Sequence, residues 1–163
     1  MSVVEFLERN QISEWAEVHG LLTGEEFNIQ LPGLSPTFHG IYADGRRSGR
    51  EQAAAKELIH HLGIWNECLV WITAWGVWPS SEDWPKFYAW RGSFGERRSL
   101  NTAPGHLFEQ RERQLLEELL TFIMENAWDA NILCSVGSRA DKILGKISHD
   151  EWFEVFGGPA NVG

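Results

Sequence analysis

The sequence predicts an α+β fold: one domain with a mainly antiparallel sheet, a tryptophan-rich central strand, and two or three helices packed against it. Three observations lead there. Apolar residues recur at helical steps in some segments and alternate in others, without the regular strand–helix–strand order that builds a parallel sheet. Glu67–Val77 is apolar on both of its faces, which marks a strand in the middle of a sheet and covered on both sides. Hydrophobic residues make up 43% and charged residues 23% of 163 residues, close to the globular average and long enough for one domain. Residues 1–156 are expected to form that domain, with 157–163 ("GGPANVG") as a flexible C-terminal tail.

From Val3 to His19 the apolar residues Val3, Val4, Leu7, Trp15 and Val18 fall at helical steps, interrupted at Asn10, so two short helices or one broken helix are predicted. Glu25–Gln30 alternates as a strand, "LPGLSP" breaks into a loop, and Phe38–Ala43 alternates again before the turn "DGRRSG". Ser48 and Glu51 read as a capping box opening a helix through "EQAAAKELIHHLG", which is rich in helix formers and ends on a glycine suited to a C-cap. In the strand that follows, Leu69, Trp71, Thr73 and Trp75 are expected on one face, and Cys68, Val70, Ile72 and Ala74 on the other. "PSSED" supplies a turn and an N-cap for a short helix, Trp84–Trp90, and "RGSFGERRSLNTAPG" is a long loop. Loops of that length are uncommon unless functional or mobile. A long helix is predicted over His106–Asn126, with Phe108, Leu115, Leu119, Phe122 and Ile123 as its apolar stripe and Glu109, Glu112, Arg113 and Glu117 on the other face. Ala130–Val136 reads as a strand, "GSRADKILGK" as a turn-rich connection, and Trp152–Phe156 as a last strand.

Charge narrows the classes of partner. The net charge is −9, and the first thirty residues hold six glutamates (Glu5, Glu8, Glu14, Glu17, Glu25, Glu26) against one basic residue, Arg9. Such a field repels nucleic-acid phosphates and anionic lipid and favours a cationic protein partner, so neither nucleic acid nor membrane is expected. The N-terminus carries glutamates within its apolar segment, unlike a signal peptide, and no apolar run reaches the length of a membrane span. Cys68 and Cys134 sit in apolar runs outside any C-x-x-C pair, which points to buried free thiols in a reducing compartment; the expected location is the cytoplasm.

No catalytic signature is present. His60 and His61 diverge around a helix, and His106 with Glu109 is a spacing too common to signal a metal. His149 beside Asp150 and Glu151 is a candidate base whose neighbours on an extended segment point elsewhere. No catalytic residue, metal or cofactor is therefore expected, and an enzyme is disfavoured. The partner-binding set is Glu14, Glu17, Glu25 and Glu26 for the steering field, with Trp84, Tyr88 and Trp90 as aromatic anchors. The alternative is an enzyme or a small-ligand or phosphate binder using the turn 45–51 and the loop 91–98, through Arg46, Arg47, Arg50, Arg97 and Arg98. Self-association through the tryptophan-rich segment, as a homodimer, is a third reading. In type, being small, acidic, tryptophan-rich and without a catalytic constellation, the chain resembles the small bacterial immunity proteins that mask a toxin by binding it. That resemblance rests on composition and covers no particular stretch.

Overall fold

Alternation along antiparallel strands sorts the apolar residues onto two faces of one sheet, and the helices are distributed unequally between them. The computed structural model describes residues 4–20, 36–42, 49–136 and 143–157. In chain order the elements are β1 (Glu5–Leu7), α1 (Arg9–Val18), β2 (Phe38–Ile41), α2 (Arg50–Leu62), β3 (Glu67–Ala74), α3 (Trp84–Gly92), β4 (Gly105–Glu109), α4 (Arg113–Glu125), β5 (Asp129–Ser135), β6 (Ile143–Ser148) and β7 (Trp152–Phe156). Short 3-10 turns at Pro79–Ser81 and Gln110–Glu112 precede α3 and α4. The strands form a seven-stranded sheet in the order β1-β4-β3-β5-β6-β7-β2, antiparallel at every step. The α+β architecture with a mainly antiparallel sheet and a central tryptophan-bearing strand is thus observed.

The helical face carries the larger core. Cys68, Val70 and Ile72 of β3, Ile132 and Cys134 of β5, and Phe153 and Val155 of β7 pack there under α2, α4 and the Phe87 side of α3. The opposite face is covered among the described residues by α1. Its Ile12 and Ala16 pack on Leu7, Leu69, Trp71 and Leu133. Close docking of α1 depends on Gly105, where a Cβ would meet Ile12 Cγ1 at 2.8 Å.

Several sequence expectations change. Val4–Leu7 is not helical: the chain enters as β1 on the sheet edge beside β4, and the helix begins only at Arg9. Glu8 caps α1 reciprocally with Gln11, its backbone N–H donating to Gln11 Oε1 at 2.8 Å. The predicted long helix splits, because His106–Glu109 belongs to β4 and only Arg113–Glu125 is helical. Glu112 and Glu117, expected on a solvated face, are 5% and 7% exposed. The turn-rich reading of "GSRADKILGK" gives way to β6 from Ile143 onward. Gly49, in a left-handed conformation at φ 84°, is the N-cap of α2, and Ser48, the expected partner of Glu51 in a capping box, lies outside the described residues.

Trp71 and Trp75, expected on one face of the strand, do not share it. The β3–β5 register shifts between Ile72 and Ala74, and Trp75 packs against the helical-face core while Trp71 packs on the α1 face. The expected strand at Glu25–Gln30, the turn at 44–49 up to Ser48, and the tail beyond Gly157 lie outside the described residues. Among the described residues no helix is long and apolar enough to cross a membrane.

Candidate binding groove on the helical layer

α4 presents Gln114, Glu117, Glu118, Thr121, Phe122 and Glu125 at three- and four-residue steps, so they form one ridge on its outer side. α2 supplies Gln52 along one wall, and α3 supplies Lys86 and Trp90 along the other; together they enclose a hollow of about 290 Å³. Two neighbouring hollows share residues with it. One, of about 260 Å³, shares Gln114 and Glu117 and adds Lys56, His60 and Arg113. The other, of about 310 Å³, shares Lys86, Phe122 and Glu125 and adds Glu51, Ser81 and Asp83. The result is a continuous furrow along α4 with five carboxylates against three cations.

It sets carboxylates beside aromatic rings. Phe122 and Trp90, ring centroids 5.9 Å apart, form the apolar floor. Trp90 Nε1 donates to Glu118 Oε2 at 2.9 Å, which fixes that carboxylate at the edge of the ring. Glu117 is held by Gln114 Nε2 at 3.1 Å. Two lysines already sample the site: Lys86 Nζ lies 5.3 Å from the Phe122 centroid and 3.8 Å from Glu125, and Lys56 Nζ lies 3.9 Å from Glu117. Their side chains are 58% and 65% exposed, and such pairs contribute only about 0–1 kcal/mol, so another cation displaces them at little cost.

α3 is held in place by an aromatic cluster. Trp128 is fully buried, 4.8 Å from Trp84 and 5.0 Å edge-on to Phe87, and its Nε1 donates to Glu82 Oε2 at 2.6 Å. Tyr88 stacks on Trp84 at 5.6 Å, and its hydroxyl accepts from the Leu100 N–H. Asp83 caps the helix by accepting from the Lys86 N–H at 3.1 Å. The expected anchors Trp84 and Trp90 therefore spend most of their rings on α3's own packing. Tyr88 is 38% exposed, and of the nine tryptophans only Trp78, at 53%, falls among the exposed apolar residues. The Trp78 carbonyl accepts from the N–H of Ser81, a residue that lines one end of the furrow.

Behind α3 sits a polar pair that sequence reasoning missed. Arg91 and His106 are both fully buried. Arg91 donates through Nη1 to the Ala103 carbonyl and to His106 Nε2 (3.1 and 2.9 Å), and through Nη2 to the Arg98 carbonyl at 3.1 Å. Its guanidinium also lies 4.9 Å over Phe6. Burial lowers the guanidinium to about 10, which leaves it charged at neutral pH. Burial, reinforced by Arg91, pulls His106 down to about 3. The imidazole is neutral, with Nδ1–H directed at the Val70 carbonyl at 3.4 Å and Nε2 accepting from Arg91. The long loop after α3 is thus strapped from within.

The remaining sequence candidates scatter. Glu14 and Glu17 are exposed on α1, across the sheet from α3, so the acidic helix and the aromatic anchors do not share a surface. Glu25, Glu26, Arg46 and Arg47 lie outside the described residues. Arg50 is engaged by Glu51 and Glu151, and Arg98 by Glu96, Glu8 and the Phe6 carbonyl. Arg97 is exposed. Arg50 and Arg98, the two with described partners, bind different carboxylates and do not converge on one cradle. His149 pairs with Asp129, which accepts from the His149 backbone N–H at 2.6 Å and sits 2.9 Å from Nδ1. That pair tethers the β6–β7 turn to β5. Among the described residues no group of three or more His, Cys, Asp or Glu converges as a metal site. No protein-family model, curated protein or solved structure matches the chain significantly.

Proposed function

We propose that this is a non-enzymatic binding protein that masks a basic protein partner, taking a lysine- or arginine-bearing surface of that partner into the furrow along α4. The observation that carries the reading is the hollow itself: Glu117, Glu118 and Glu125 around a floor of Trp90 and Phe122, with two exposed lysines as loosely held occupants. A desolvated cation between an aromatic face and carboxylates gains from both, and a few such anchors supply most of an interface's affinity. The net charge of −9 supplies the longer-range attraction. Trp78 and Tyr88 are the exposed aromatic residues available to extend that contact. A cytosolic protein of the immunity type is the setting this reading fits.

The test is affinity capture from the native host with the purified protein as bait. A basic protein should be retained, should elute as salt rises, and should be lost when the bait carries Glu118→Gln and Glu125→Gln. Glutamine at 118 keeps an acceptor for the Trp90 indole, so a loss reports charge rather than misfolding. Retention indifferent to both salt and these substitutions overturns the reading, as does turnover of any compound by the purified protein.

A further inference from the structure

Cys68 and Cys134 face one another directly across β3 and β5, adjacent strands at the middle of the sheet. They stand in one buried cross-strand row, Phe108–Cys68–Cys134–Ile143, that spans four strands. Both thiols are free, 0% and 2% exposed, and their sulfurs are 3.6 Å apart. Directly opposed strand residues have Cβ atoms about 4.5–5.5 Å apart, and a disulfide takes about 3.5–4.5 Å, so closing the bond asks for a small approach of two strands already paired. We infer that this pair is a latent cross-strand disulfide, which closes when the protein meets a low-molecular-weight disulfide oxidant and covalently joins the two strands. The inference goes beyond the binding reading and does not depend on it.

The exchange balances without any further reagent. One cysteine thiolate attacks a sulfur of the oxidant, breaking its S–S bond, releasing one thiolate and leaving a mixed disulfide on the protein. The second cysteine thiolate then attacks the protein sulfur of that mixed disulfide and expels the other half of the oxidant. The protein dithiol loses two electrons, the oxidant becomes two thiols, and the two cysteine protons end on them.

Burial sets the rate. The Cys68 thiol is pushed well up by its apolar surroundings, only partly offset by the Arg113 guanidinium, so Cys68 offers no thiolate in the closed fold. Exchange runs through opening of the sheet, slowly in the native state and fast near the unfolding midpoint. Once formed, the bond joins positions 66 residues apart and restricts the unfolded chain more than the folded one.

The experiment exposes the folded protein to oxidised glutathione through one cycle of warming to its unfolding midpoint and cooling, then alkylates it under denaturing conditions. Mass analysis should show both alkylation sites lost with no glutathione retained, a linked Cys68–Cys134 peptide, and full reversal by dithiothreitol. The oxidised protein should melt higher than the reduced one by on the order of 5 °C. Cys68→Ala and Cys134→Ala should each keep at most one adduct, and the double variant should show no oxidant-dependent shift. Separate adducts on both cysteines, disulfide-linked dimers, two thiols still free after the cycle, or a midpoint that does not rise each overturn the inference.

Discussion

The two faces of the sheet are built on different terms. On the helical face, α2, α3 and α4 cover a continuous core that also admits a buried arginine, a buried histidine and a carboxylate-bonded tryptophan. On the other face α1 covers a smaller cluster, and its polar contacts are peripheral: Trp15 Nε1 reaches Glu67 at 3.3 Å, half in solvent. Polar groups are costly inside and cheap outside, so the helical face is specified in detail while the α1 face is held mainly by apolar area. The furrow lies on the specified side. Its α3 wall is held from behind by Trp128 and by the buried Arg91, and on the reading proposed above its carboxylates are what a partner meets.

The sharpest way to break this contrast is to remove one indole from each face. Trp128→Ala deletes a fully buried ring and one donor to Glu82 Oε2, which keeps the Gly76 N–H at 2.7 Å. A loss of about 3–5 kcal/mol is expected in denaturant unfolding. Trp15→Ala, half-exposed and paired with a partly solvated carboxylate, should cost about 1 kcal/mol. Equal losses would mean that the faces are built alike.

Next in size is the Arg91 strap. Arg91→Met preserves much of the stem but leaves the Ala103 and Arg98 carbonyls and His106 Nε2 without their donor. Each buried orphan costs about 1–3 kcal/mol, so a total near 3 kcal/mol is expected, with faster hydrogen exchange along 98–103. Arg111→Met removes an ion pair exposed on both sides, with Glu109, and should cost less than about 1 kcal/mol. A reversed order would show that the buried guanidinium is tolerated rather than needed.

Acid probes the same pair more gently. His106 titrates near 3 in the fold against an ordinary value of 6.5, so the unfolded chain binds a proton that the folded one refuses. Its contribution is fully present above about 6.5 and is lost as pH falls towards 3. From pH 6.5 to 5, on the order of 1–2 kcal/mol should disappear. Urea midpoints at those two pH values measure it, and His106→Gln should flatten the slope even while lowering stability throughout.

How much of this was legible follows from the same physics. β3 could be read because both its faces are apolar, and α2 because helix formers and a glycine at φ 74° mark it. β4 was absorbed into α4 because His106–Glu109 runs into a helical stripe, and four residues carry too little periodicity to separate a strand. β1 is three residues long, and spacing within it mimics a helix. β6 reads as a turn because Gly145 interrupts it; there the missing side chain makes room for Ile132, whose Cβ would lie 3.1 Å from an added carbon. The furrow could not be found as a motif. Glu117, Glu118, Thr121 and Glu125 look like an ordinary polar ridge until α3 is laid beside them, and nothing local in the sequence says where α3 lies. The Arg91–His106 pair was hidden likewise, fifteen residues apart, with a segment that reads as loop leading from one to a residue that reads as the start of a helix.

The smallest expected effect on stability carries the most information about function. Glu118→Gln with Glu125→Gln, and Glu14→Gln with Glu17→Gln, remove the same charge from opposite faces of one sheet. Neither pair is buried, so both variants should unfold within about 0.5 kcal/mol of the parent. Long-range steering changes about equally, because both raise the net charge by the same amount and the molecule is small beside the range of its field at low salt. What differs is the local site: one pair lines the Trp90–Phe122 hollow and the other lies on the exposed side of α1. Against a captured basic partner, the furrow variant should raise the dissociation rate tenfold or more, while the α1 variant should slow association slightly and leave dissociation alone. The opposite pattern would move the contact to α1 and return the original acidic helix to the centre of the account. Equal small effects would make the acidity a matter of solubility, and the furrow a consequence of how three helices pack.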